Sequence, residues 1–185
     1  MNDCLLFLDF DNTLVHTMLP NNEQQADMWL DLYGQYWEGA KFELNDGWYV
    51  SFVRHWSDNI IRYFQNKLTK DNVCILSWGT SEYVKTSVGA LGLDIPTQNI
   101  YAREDISTTN VPRFNDKNMV LVDNEPYLFH IEDRVNKIKF LKNLPPHKFV
   151  KVSSFNVNYL EDDSNVNEII ENIETSFNNK PETYI

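Results

Sequence analysis

Asp9 and Asp11 stand where the apolar run Cys4–Phe10 gives way to turn-prone sequence, in the order Leu8-Asp9-Phe10-Asp11-Asn12-Thr13. A carboxylate can attack phosphorus and form a covalent intermediate. A second carboxyl group nearby can protonate the leaving oxygen and later activate water. A third anionic site would help hold a magnesium ion, which takes oxygen ligands and offsets phosphate charge. Asp123 is the candidate, because the run Met119–Val122 ends in Asp123-Asn124-Glu125-Pro126. The run Val73–Leu76 ends in Ser77-Trp78-Gly79-Thr80. A hydroxyl there, beside the free N–H groups of a helix start, can hold a transferring phosphoryl group. A lone D-x-D is a weak signal, since exposed aspartates usually just face solvent. Three apolar runs, each ending in a residue type that the reaction requires, form a stronger one.

The elements that must position these groups follow from the same runs. Short continuous apolar segments suit strands buried on both faces of a parallel sheet. Ligands bind such sheets beyond the carboxyl ends of the strands, which gathers Asp9, Asp11, Ser77 and Asp123 at one edge. Ser57–Leu68 carries Ile60, Ile61, Phe64 and Leu68 at helical spacing behind a Ser57 cap candidate. Ser81–Leu91 and Asn165–Phe177 read as further helices. Strands alternating with helices predict an α/β fold with a mainly parallel central sheet flanked by helices. The segment 19–52 departs from that rhythm. It is crowded with Trp29, Tyr33, Tyr36, Trp37 and Phe42, then carries the hairpin signal Asn45-Asp46-Gly47 before Trp48–Phe52. It is expected to be a small β-containing insertion within one domain spanning 1–185, with no large cap. The tail from Asn178 is expected to fray.

The chain has 185 residues, with 27 acidic and 16 basic side chains and a net charge of −11. This balance disfavours a protein held mainly by nucleic acid, although a local basic strip would revive that reading. No apolar run approaches the ~20 residues of a membrane span, and no secretory signal is visible. Cys4 and Cys74 lie in apolar runs as small core residues, which suggests a reducing, intracellular compartment, cytoplasmic or nuclear.

The order D-x-D-x-T, then a strand ending in Ser, then a strand ending in Asp-Asn resembles the haloacid dehalogenase superfamily, whose core is a Rossmann-like fold. Within it, Leu8–Thr17 closely resembles the opening of the FCP/SCP-like phosphatases that act on the RNA polymerase II C-terminal domain. Tyr49–Arg54, Cys74–Ser77 with Tyr83, Asp123–Pro126 with Phe129-His130, and Asp162-Asp163-Ser164 extend the likeness over nearly the whole chain.

The resemblance implies roles. Asp9 would be nucleophile and Mg²⁺ ligand. Asp11 would be general acid/base and would give its backbone carbonyl to the metal. Asp123 would ligate the metal, with Asn124 supporting the site. Ser77 would bind the phosphoryl group, and Thr13 would shape the loop beside Asp9. The insertion would offer an aromatic peptide pocket, with Trp29, Tyr36, Trp37 and Trp48 as candidates. Simple packing of the insert is the alternative. The family's steadying Lys has no clear counterpart. Lys117 precedes its strand and would lie on the order of 20 Å from the site. Arg103, in Tyr101-Ala102-Arg103-Glu104-Asp105, is the first substitute and Arg113 the second. Glu125 replaces a family Ser. His16 and His130 match the family and receive no catalytic role. The expected partner is a phosphorylated protein or another phosphomonoester. A polynucleotide or small-metabolite phosphatase and a phosphoprotein-binding pseudo-enzyme remain open at this point.

Overall fold

The computed structural model describes residues 3–108, 118–125, 148–159, 162 and 164–179. Five parallel strands form the central sheet. They are β1 (Cys4–Asp9), β5 (Val73–Leu76), β6 (Ile100–Tyr101), β7 (Asn118–Asp123) and β8 (Phe149–Lys151), in the order β6-β5-β1-β7-β8. Register is set with Leu8 beside Ile75 on one side and Val122 on the other. The chemistry-bearing strand is thus central, and its two neighbours are the strands that end in Ser77 and Asp123.

The apolar runs form strands because both faces are covered. Leu6, Leu8, Val73, Ile75, Val120 and Val122 face helices α2 (Ser57–Leu68), α3 (Ser81–Ala90) and α5 (Val166–Asn178) in one cluster. Leu5, Phe7, Cys74, Leu76 and Leu121 pack on the other face with Tyr101 and Trp78. Ile60, Ile61, Phe64 and Leu68 of α2 are all buried, as their spacing predicts. The cap differs from expectation. Trp56 occupies the N-cap without a side-chain bond, and Ser57 turns inward to donate to the Leu14 carbonyl at 2.8 Å. That bond ties the helix to the loop after β1, which a solvent-facing cap would not do. Helix α4 (Arg103–Thr108) follows β6.

Between β1 and α2 lies a second, antiparallel sheet of three strands in the order β2-β4-β3: β2 (Val15–Met18), β3 (Gly39–Leu44) and β4 (Gly47–Val53). The Asn45-Asp46-Gly47 signal makes the β3–β4 turn, and Gly47 has φ +139°, open to glycine. Helix α1 (Glu23–Tyr33) was not expected in this segment. Asn22 caps it by accepting from the Gln25 N–H, and only Ala26 is buried on it. Trp37, Val50, Phe52, Phe155 and Val157 make a separate small core here. No helix among the described residues is long and apolar enough to cross a membrane.

Candidate active site

The loop after β1 is locked by its own backbone. Leu14 and Val15 N–H groups both donate to the Phe10 carbonyl at 3.0 and 3.1 Å, and the Asn12 N–H donates to the Val15 carbonyl at 2.7 Å. Asn12 takes φ +59°, a left-handed conformation that Asn tolerates better than most residues. Phe10 is buried in the cluster that faces the helices, while Asp9 and Asp11 on either side of it both line the pocket at the strand ends. Thr13, fully buried, accepts the Asn124 N–H and donates to Asn124 Oδ1, both at 3.0 Å. Asn124 Nδ2 donates to Ser154 Oγ at 2.7 Å. The loop after β1 is therefore stitched to the end of β7.

An open pocket of about 150 Å³ lies at this edge, lined among the described residues by Asp9, Asp11, Asn12, Trp78, Asp123, Asn124 and Glu125. Asp9 and Asp123 are buried there. Burial raises Asp9 well above the usual carboxylate range, and the charges of Asp123 and Asp11 push the same way against the Thr13 hydroxyl and Phe10 N–H. Asp123 is pushed up to about 6 by burial, with the Glu125 N–H opposing at 2.6 Å and the Glu125 charge adding. Asp11 is also raised by burial, against hydrogen bonds from Tyr83 and Ser77.

Ser77 Oγ lies 3.4 Å from Asp11 Oδ2 and accepts the Gly79 N–H at 3.0 Å. Gly79 has no room for a Cβ, which would meet the Tyr83 ring at 2.7 Å. The close approach lets α3 begin directly over the strand end. Thr80 is exposed, and its hydroxyl is used as the α3 cap, accepting the Tyr83 N–H at 3.3 Å.

The donor set suits a hard divalent cation. It consists of oxygen atoms, and its acids repel one another when ionised. Among the described residues no three His, Cys, Asp or Glu side chains are gathered as a ready cage. Asp11 turns its carboxylate to Tyr83 and Ser77, which leaves the Asp9 and Asp123 carboxylates at the pocket.

Several sequence candidates lie elsewhere. Trp37 is a core residue, stacked on His55 at 4.3 Å and set edge-on to Phe155 at 4.8 Å. It cannot line a substrate groove, because its ring holds α1 and β4 against the segment around Phe155. Trp48 is half-buried on the insert with the Lys41 ammonium 5.4 Å over its ring, apart from the acid pocket. Arg103 is exposed at the start of α4, where its main-chain N–H reaches the Gly79 carbonyl at 3.0 Å. Its side chain is not among the groups lining the pocket. Arg113, Lys117, Phe129, His130 and Asp163 lie outside the described residues.

The structure also gives partners to residues that the family likeness included without a catalytic role. Tyr83 OH is 2.5 Å from Asp11 Oδ1 and 2.7 Å from Thr17 Oγ1. Buried Arg54 grips Asp162 in a two-pronged bond at 2.6 and 2.8 Å, and its Nη1 reaches the Thr13 carbonyl at 3.3 Å and the Ser153 carbonyl at 2.7 Å. His16 Nδ1 stands 3.0 Å from Asn12 Oδ1, bracing the loop.

Solved structures share this fold. A variant of the fission yeast RNA polymerase II CTD phosphatase Fcp1 bound to beryllium fluoride matches with a TM-score of 0.52 and 14% identity, over 94% of this chain and 50% of that one. A second structure, of Fcp1 as an essential RNA polymerase II CTD phosphatase, matches with a TM-score of 0.54 and 16% identity, over the same shares. The chain spans about half the length of these structures. The α/β fold with a mainly parallel central sheet expected from the motifs is the fold observed, and it is the fold of these phosphatase structures. No family model and no curated protein matches the chain.

Proposed function

We propose that the chain is a magnesium-dependent phosphomonoester hydrolase that works through an aspartyl-phosphate on Asp9, with phosphorylated serine or threonine in a protein as its substrate. The observation that carries this reading is the burial of Asp9 and Asp123 side by side at the carboxyl edge, each with its pKa raised. Such a pocket is adapted to a cation and an anion together, not to empty water. Asp9, Asp123 and the main-chain carbonyl of Asp11 would hold the ion. The ion would offset phosphate charge and lower the nucleophile's proton affinity. Asn124 would serve from behind, since its amide is engaged by Thr13 and Ser154.

Asp9 then attacks phosphorus, and the Ser77 hydroxyl receives a phosphoryl oxygen. Asp11, whose pKa is raised by burial, gives a proton to the leaving oxygen and later takes one from the attacking water. The open pocket and the absence of a large cap among the described residues favour an extended substrate. The phosphoprotein assignment follows the structural neighbours, whose own substrate is the polymerase tail.

The test is phosphate release from p-nitrophenyl phosphate and from a phosphoserine peptide with magnesium present. Turnover is expected to stop with EDTA and to fall roughly a thousandfold or more in Asp9→Asn. Turnover that persists in either condition would sink the mechanism.

A further inference from the structure

A row of hydroxyl groups runs from the pocket into the antiparallel insert. Tyr83 OH lies 2.5 Å from Asp11 Oδ1 and 2.7 Å from Thr17 Oγ1. Thr17 Oγ1 lies 2.7 Å from Ser51 Oγ, and Ser51 Oγ lies 3.2 Å from Ser87 Oγ. Ser51 and Ser87 are fully buried and Tyr83 nearly so. The four residues come from α3, β2, β4 and again α3.

Each hydroxyl has one hydrogen to give. A carboxylate can only accept, so Tyr83 spends its hydrogen on Asp11 Oδ1. Thr17 must then donate to Tyr83, Ser51 to Thr17, and Ser87 to Ser51. With Asp11 ionised, the row has one self-consistent direction, and it points at a single oxygen of Asp11. The other oxygen, Oδ2, faces Ser77 Oγ at 3.4 Å. That hydroxyl is the one assigned to the phosphoryl group.

We infer that the insert, through Thr17 and Tyr83, positions Asp11 so that Oδ1 stays a hydrogen-bond acceptor and Oδ2 is the oxygen that handles the proton. The inference rests on the reading of Asp11 as acid/base. As Asp9 bonds to phosphorus and the P–O bond to the leaving group breaks, the hydrogen on Oδ2 passes to the leaving oxygen. Asp11 is left as a carboxylate held at Oδ1 by Tyr83. When water attacks the aspartyl-phosphate, Oδ2 takes a proton from it, the Asp9–phosphorus bond breaks, and inorganic phosphate leaves. The arrangement spares Asp11 a reorientation between the two halves, because the same donor serves the same oxygen in both protonation states. It also gives the insert a task other than an aromatic pocket: Thr17 and Ser51 are cross-strand partners in β2 and β4. Tyr83 and Thr17 are positioning residues and do not touch the reacting atoms.

The experiment compares leaving groups. An alkyl phosphate such as a phosphoserine peptide needs the proton, and p-nitrophenyl phosphate needs it far less. Tyr83→Phe is expected to lower the single-turnover rate of aspartyl-phosphate formation from the phosphoserine peptide by about 10- to 100-fold. The same rate measured from p-nitrophenyl phosphate should fall by no more than about threefold, while breakdown of the common aspartyl-phosphate slows equally for both substrates. Thr17→Val leaves the Tyr83 ring in place and should show the same split more weakly, while Thr17→Ser restores the wild-type ratio. Near-ultraviolet circular dichroism establishes which variants are folded, and Thr17→Val carries the test if Tyr83→Phe is not. Equal losses of the formation rate on both substrates, or no loss on either, overturn the positioning role while leaving the phosphatase reading intact. A wild-type chain that hydrolyses neither substrate overturns both.

Discussion

At the scale of single residues, Asp123 shows how a site is built against stability. It is 4% exposed, and its pKa is pushed up to about 6. A carboxyl with a folded pKa above its unfolded value of about 3.9 holds its proton more tightly in the native state. Its contribution to stability is therefore greatest below about pH 4 and is lost as pH rises through about 6, where the native state must carry a buried charge. Asn at this position keeps the acceptor for the Glu125 N–H and removes the charge. Asp123→Asn is expected to raise the melting temperature of the metal-free protein at pH 7. The gain should be about 1–3 kcal/mol, or roughly 2–10 °C, and should vanish near pH 4. Thermal scans in EDTA across that range measure it, and a variant less stable than wild type at pH 7 would contradict the account. The acids themselves were legible from sequence because each ends a strand, where side chains must enter the crevice. The hydroxyl row was not. Thr17, Ser51, Tyr83 and Ser87 come from three elements with no shared spacing, and hydroxyls are common enough that composition carries no signal.

At the scale of elements, Arg54 couples the insert to the rest of the molecule. It follows β4, is 1% exposed, and joins the Thr13 carbonyl, Ser153, Ser164 and Asp162 across the chain. Trp56 lies under its guanidinium at 4.7 Å. Burial alone would raise Asp162, yet the hydrogen bonds and charge of Arg54, helped by Ser164, outweigh it and leave the carboxyl below the usual range. The sign is opposite to that of Asp123. This stability is present above the unfolded pKa of about 3.9 and is lost as pH falls through the lower folded value. Asp162→Asn leaves a buried guanidinium without its counter-charge and is expected to cost about 3–5 kcal/mol at pH 7. Chemical denaturation at pH 7 and pH 3 should show the deficit shrinking at the lower pH. A constant deficit would mean that lost packing, not lost charge, is responsible. The sequence placed β1, β5, β7 and the three long helices because apolar runs and helical stripes persist over several residues. It missed α1, whose sequence EQQADMWLDLY buries only Ala26 and so has little apolar stripe to read. It also missed β6 and β8, of two and three residues, which are strands only because a neighbour pairs with them.

At the scale of the whole molecule, a net charge of −11 means that magnesium has two ways to act. It can settle loosely around an acidic surface, an effect that any salt of equal ionic strength reproduces in part. Alternatively, it can bind between Asp9 and Asp123, which stabilises the native state by mass action. At free magnesium about a hundredfold above its dissociation constant, site binding is worth about 2.7 kcal/mol. That is roughly 5–10 °C for a chain of this size. Sodium chloride at matched ionic strength should move the melting temperature far less. The same titration on Asp123→Asn separates the two modes, because the substitution removes one unit of charge from the surface count but one of two carboxylates from the site. Diffuse screening predicts nearly unchanged magnesium response in the variant, whereas site binding predicts that most of the response disappears although the metal-free variant is the more stable protein. A crossing of the two curves, wild type below the variant without magnesium and above it with magnesium, is the expected outcome. Parallel curves would place the ion on the surface and leave the paired acids without their counter-charge.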